Sequence, residues 1–147
     1  MVTRTVILTN SVSSKFPINE LCPILSVDLT ALSHNYVALQ KKSGTAELAT
    51  VVKADAYGLG IDNIVPVLRA AGCESFFVAT ANEAKALRAI TNDSGIYIMN
   101  GLTCDGAELA DKKLSPCLAS AEEVARWITL CADKNSNLPA AIHIDTG

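Results

Sequence analysis

The feature that most constrains the fold is a recurrence of short, continuous apolar runs separated by helical patterns. The runs are Leu48–Lys53 (LATVVK), Ser75–Thr80 (SFFVAT), Gly95–Asn100 (GIYIMN) and Ala140–Ile144 (AAIHI), with Leu25–Leu29 (LSVDL) as a shorter early strand. Ser115–Ala119 (SPCLA) reads as a poor strand, because Pro116 can sit only at its start. Between the runs lie helical stripes. One is Leu32, Tyr36 and Leu39, another Ile64, Val65, Val67 and Leu68. The third is Ala84, Leu87 and Ile90, the fourth Val124, Trp127, Ile128 and Cys131, with a weaker helix from Asp105 to Lys113. Helix starts are marked by Asp28 or Thr30, by Asp62, and by two capping boxes, Thr80–Glu83 and Ser120–Glu123. Pro66 fits if it falls in the first turn of its helix. Gly72 reads as the residue that closes the same helix.

Apolar runs without alternation are how strands of a parallel sheet read when both faces are covered. Their spacing of roughly 20–25 residues suits βα units. Two architectures give this pattern, an open doubly wound sheet and a closed (β/α)₈ barrel. A closed barrel takes about 250 residues, and this chain has 147. The expected fold is therefore α/β, the N-terminal part, about five βα units, of a TIM-type barrel. A last strand followed only by Asp145-Thr146-Gly147 favours that choice, since no helix follows to cover it. Residues 1–20 read as a loose N-terminal extension and 21–147 as the partial barrel. No repeat in the sequence is apparent.

Composition excludes several functions. The net charge is −3 and the twelve basic residues are scattered, which argues against a nucleic-acid surface. No apolar run reaches the length of a membrane span. The N-terminus lacks the pattern of a signal peptide, so the expected location is cytoplasmic. Five cysteines without CxxC pairs and two histidines give no zinc pattern, and the cysteines read as free thiols.

The candidate site is the turn after the second run, Val52–Gly60 (VKADAYGLG). In parallel α/β folds chemistry gathers at the C-terminal ends of strands, and Lys53 stands at such an end. A lysine there serves as a solvated charge, a phosphate-binding point charge or a nucleophilic amine. Val51 and Val52 offer an apolar floor, which lowers an amine's pKa and favours attack on a carbonyl. Tyr57 places a hydroxyl on the same turn, and Gly58 and Gly60 allow an anion to approach the backbone.

The string Val52–Gly58 resembles the pyridoxal-phosphate attachment motif of alanine racemases. Leu25–Asn35 (LSVDLTALSHN), Phe77–Ala84 (FVATANEA) and Ile142–Gly147 (IHIDTG) resemble further landmarks of that family, in the same order. The resemblance implies a (β/α)₈ barrel followed by a mostly β domain, acting as a homodimer. It implies that Lys53 carries pyridoxal 5'-phosphate as a Schiff base and acts as the base on one face of the substrate Cα, and that Tyr57 contacts the cofactor phosphate. The reaction implied is interconversion of L- and D-alanine, supplying D-alanine for peptidoglycan. The resemblance further implies that the base for the opposite face is a tyrosine of the partner's second domain, and neither Tyr36 nor Tyr97 is assigned to it. Both read as packing residues.

Two positions depart from the family pattern. Leu59 stands where many relatives carry His. His143 stands where some carry a carbamylated lysine; it reads as a strand-end histidine, His34 as a surface residue, and Asp145 as a site residue or a helix cap. The expectation is an N-terminal portion that alone folds poorly or self-associates and racemises nothing, because its strand edges and helix faces lack neighbours. Two other readings share the turn: another pyridoxal-phosphate-dependent amino-acid racemase, or a non-catalytic α/β domain binding a phosphorylated ligand.

Overall fold

The computed structural model describes residues 5–9 and 24–147. Along the chain run β1 (Thr5–Thr9), β2 (Ile24–Asp28), α1 (Leu29–Ser43), β3 (Thr50–Val51), α2 (Lys53–Gly58), α3 (Ile61–Ala70) and β4 (Ser75–Val78). They are followed by α4 (Ala81–Ile90), β5 (Gly95–Ile98), α5 (Gly106–Asp111), β6 (Ser115–Leu118), α6 (Ala121–Asp133) and β7 (Ala141–Ile142).

Strands β3 to β7 form one five-stranded sheet, parallel throughout and ordered as in the chain. A doubly wound sheet reverses its order at a switch point. A barrel lays each new strand beside the last. The sequential order therefore selects the barrel connectivity. β2 does not join this sheet but pairs in parallel with β1. Thr5–Thr9 falls within the stretch expected to be loose; the rest of 1–20 lies outside the described residues.

The core forms on one face of the sheet. Phe76 and Val78 of β4 and Ile96 and Ile98 of β5 are buried there with Ile64, Val65 and Leu68 of α3 and Ala84 and Leu87 of α4. Each of these side chains except the single methyl of Ala84 contributes about 1.5–3 kcal/mol by leaving water. The intervening residues point to the opposite face and are only half-buried in β4 and β5. The expectation of strands covered on both faces thus holds for β6, all of whose residues are buried, but not for its neighbours. On the open face Phe77 and Tyr97, paired across β4 and β5, stack with ring centroids 4.9 Å apart. β6 is a full member of the sheet despite Pro116, the second of its four residues.

Helix ends follow local chemistry. Asp28 caps α1 by accepting from Thr30 N and Ala31 N, each at 2.9 Å. The end of α3 closes with Cys73 N donating to Leu68 O and Gly72 N to Arg69 O, and Gly72 has φ +97°. That is the left-handed closure glycine favours. At its start, Gly60 and not Asp62 is the cap, so Pro66 lies beyond the first turn. Leu39 and Ile128, assigned to apolar stripes, are exposed.

A repeat invisible to a search for long similarity emerges at the two capping boxes. Val78–Glu83 (VATANE), which closes a complete capping box at Thr80, and Leu118–Glu123 (LASAEE), where Ser120 accepts from Glu123 N, form a similar device. Glu83 accepts from Ala79 N at 2.7 Å, and Glu123 from Ala119 N at 2.7 Å. Each carboxylate also reaches the loop after the preceding strand: Glu83 to Ala54 N at 3.1 Å, Glu123 to Leu102 N at 2.9 Å. Gly101 makes room for the second, since a Cβ there would meet Glu123 Oε1 at 2.5 Å. The backbone donors of Ala119 and Leu102 hold the Glu123 carboxyl below its ordinary pKa.

A depressed carboxyl pKa stabilises the fold above the unfolded value, and that contribution is lost as pH falls through the folded value. Tyr36 gives the opposite sign. Its hydroxyl donates to Leu48 O at 2.9 Å, and burial first, then Cys73, pushes its pKa up to about 12. A raised pKa stabilises the neutral form, so this contribution is complete below 10.0 and lost as pH climbs towards about 12. Urea unfolding across pH should show an alkaline loss that Tyr36→Phe removes, and an acid loss that Glu123→Gln reduces.

Candidate active site

β3 delivers the turn. Val52, directly after it, is buried and donates its N–H to Phe77 O at 2.9 Å, tying the strand end to β4. Val51, paired with Phe77, is half open on the sheet's open face, and Val52 is buried in the core on the helix-covered side, so the two valines do not form one apolar floor for Lys53. Lys53 follows, half-buried, at the C-terminal end of the strand.

The next four residues are wound the wrong way for L-amino acids. Ala54, Asp55, Ala56 and Tyr57 have φ of 51°, 54°, 53° and 55°. A left-handed turn costs about 1–2 kcal/mol per residue, because Cβ crowds the following carbonyl. Nothing in the sequence ADAY announces it, since only Asp tolerates this region readily. Contacts around the turn hold it. Ala56 is buried and donates to Val52 O at 3.0 Å. Gly60 N donates to Asp55 O at 2.9 Å, and Ile61 N to Asp55 Oδ1 at 2.8 Å. The latter bond serves as a cap for α3, whose own N-cap, Gly60, has no side chain. Ala54 N donates to Glu83 Oε1.

The turn leaves its chemistry available. Tyr57 is 64% exposed. Neither the Lys53 ammonium nor the Tyr57 hydroxyl has a hydrogen-bond or ion-pair partner among the described residues. Space beside Gly58 is open. An unpaired primary amine with an exposed phenol on the same turn suits an aldehyde cofactor that also carries a phosphate. The donor set therefore fits pyridoxal phosphate.

Other candidates stand apart or serve structure. Tyr36 is buried and bonded to Leu48 O, and Tyr97 is stacked on Phe77, as their packing assignments require. His143 is exposed; its backbone N–H donates to Leu118 O at 2.8 Å. It helps line a cleft of about 400 Å³ on the open face with Phe77, Met99, Cys117, Ile142 and Ile144. Asp145 Oδ1 accepts from Gly147 N, and His34 is exposed. Leu59, at the departure from the family pattern, packs against the core. The described cysteines are free, and burial raises the Cys117 thiol pKa, keeping it protonated. Among the described residues no group of three potential metal ligands exists, and no helix is long and apolar enough to cross a membrane. Sequence reasoning missed Glu83 as part of the site. It was visible only as a capping box, and its reach to Ala54 depends on the spacing of two adjacent strands.

A parallel sheet whose five strands follow chain order, with helices between them, defines the N-terminal part of an α/β barrel, and Lys53 stands at the C-terminal end of its first strand. Comparison with known proteins identifies which barrel. The family model described as "Alanine racemase, N-terminal domain" matches residues 27–147, and the chain belongs to that family. It is 44% identical over 124 residues to the alanine racemase of Methylobacterium sp. (strain 4-46), covering 84% of this chain and 34% of that protein. It is 40% identical over 148 residues to the biosynthetic alanine racemase of Agrobacterium fabrum, covering 95% and 37%. The structure of alanine racemase from Bartonella henselae with covalently bound pyridoxal phosphate superposes with a TM-score of 0.78 at 39% identity, covering 82% of this chain and 34% of that one. The chain thus spans about a third of the length of the relatives it matches.

The cap role of Asp55 is open to measurement. Asp55→Ala should lower unfolding free energy by about 0.5–2 kcal/mol, the usual worth of such a cap, and Asp55→Asn should retain most of it. Denaturant unfolding of the three chains is the check.

Proposed function

We propose that this chain forms the cofactor-bearing part of an alanine racemase. The observation that carries the reading is the Lys53 amine, unpartnered at the end of β3 on a turn that also exposes the Tyr57 hydroxyl. When bound, pyridoxal phosphate supplies an electron sink for the carbanion at the substrate Cα. Lys53 anchors the cofactor covalently and, once released by substrate, moves the proton on one face of the substrate Cα. The Tyr57 hydroxyl donates to the cofactor phosphate.

Family membership supports alanine as the substrate and a homodimer as the working form, with the base for the opposite face supplied from outside the described residues. The product, D-alanine, suits peptidoglycan synthesis in the cytoplasm. The name "biosynthetic" of the Agrobacterium fabrum relative supports that role.

Mixing the chain with pyridoxal phosphate, reducing with borohydride and mapping peptides by mass tests the assignment. The expected result is a pyridoxyl group on Lys53, absent from Lys53→Ala. Label distributed evenly over the lysines would contradict it. Tyr57→Phe should retain the Lys53 label but weaken cofactor affinity about tenfold, the worth of one hydrogen bond to a charged group.

A further inference from the structure

The two glutamate clamps are chemically alike but hold different things. Glu123 joins its own helix cap to the loop at Leu102. Glu83 joins its cap to the turn that carries Lys53. Its Oε2 accepts from Ala79 N at 2.7 Å and Thr80 N at 3.3 Å, while its Oε1 accepts from Ala54 N at 3.1 Å.

Ala54 N belongs to the peptide unit whose carbonyl is that of Lys53. Fixing this N–H fixes the peptide plane on which the lysine sits. It also pins Ala54, the first of the four left-handed residues. Alanine has no preference for that region, so the junction needs a restraint from outside the turn. The carboxylate is suited to the task, because charge-assisted bonds are stronger and more directional than neutral ones. Its other oxygen is bonded to the start of α4, so it cannot swing away with the turn.

We propose that Glu83 is a positioning residue for Lys53: by clamping the Lys53–Ala54 peptide to the β4–α4 junction, it sets where the lysine amine stands. This inference rests on the reading of Lys53 as the cofactor-bearing residue. Glu123 provides the internal control, since removing it destroys an equivalent cap and clamp elsewhere.

The experiment compares the chain with Glu83→Ala, Glu83→Gln and Glu123→Ala by two measurements. Amide hydrogen exchange at Ala54 reads the clamp without any cofactor. Borohydride trapping with pyridoxal phosphate reads the ratio of label on Lys53 to label on the other lysines. Glu83→Ala should abolish Ala54 protection and lower the labelling ratio about tenfold, as loss of one bond to a charged acceptor implies. Glu83→Gln retains one acceptor oxygen for two sites and should fall between. Glu123→Ala should leave both readings unchanged. If Glu83→Ala and Glu123→Ala behave alike, Glu83 is only a cap and the proposal fails. If the unaltered chain shows no preference for Lys53, the cofactor reading fails instead, and with it the positioning of a reactive amine, whatever Ala54 exchange reports.

Discussion

Four consecutive residues wound left-handed cannot stand by themselves, and the region around Lys53 is arranged to hold them. The winding costs about 1–2 kcal/mol per residue, so a free peptide of this sequence would not adopt it. Burial of Val52 and Ala56 supplies a floor. Asp55 ties the turn forward to α3, and Glu83 ties it sideways to α4. The Glu83 restraint comes from α4, which the sheet places beside β3, while those of Asp55 and Ala56 lie within the turn and its junction with α3. The site is thus a consequence of the fold's order and not of its own sequence alone.

That order has a second consequence. Because successive parallel strands lie side by side, the loops after β3 and β4 are neighbours, as are those after β5 and β6. A glutamate three residues beyond a helix cap then reaches both its own cap and the adjacent loop. The chain uses this geometry twice, at Glu83 and Glu123. On the lower, helix-covered face, Phe76, Val78, Ile96 and Ile98 form a closed core. On the other, Phe77 and Tyr97 are only half-buried and Met99 stays exposed. Exposed apolar side chains in that position suit the interior of a barrel, the architecture of the family.

Much of this was legible in the residues. The apolar runs located the strands, and the capping boxes and Gly72 located helix ends, because these signals act over a few neighbouring residues. Lys53 and Tyr57 stood out through the turn's composition and its resemblance to a family string. What was not legible depends on contacts between distant segments. Pro116 argued against β6, yet a proline near the start of a strand can be accommodated between β5 and β7. Leu39 and Ile128 continued helical stripes, but no described element covers them. Asp62 reads as a cap because nothing in the sequence shows that the preceding turn supplies Asp55 instead. The left-handed winding of ADAY is invisible to propensity, which would assign those residues to an ordinary turn or helix.

Both the stance of Lys53 and the role of Glu83 follow from that winding. Nuclear magnetic resonance of the chain can read it directly through the intraresidue amide-to-α proton contact, which is short when φ is positive. Strong contacts are expected at Ala54, Asp55, Ala56 and Tyr57, with a weak one at Val52, whose φ is −125°. Weak contacts at all four would mean a right-handed or extended segment, and the account of how Lys53 is presented would be contradicted.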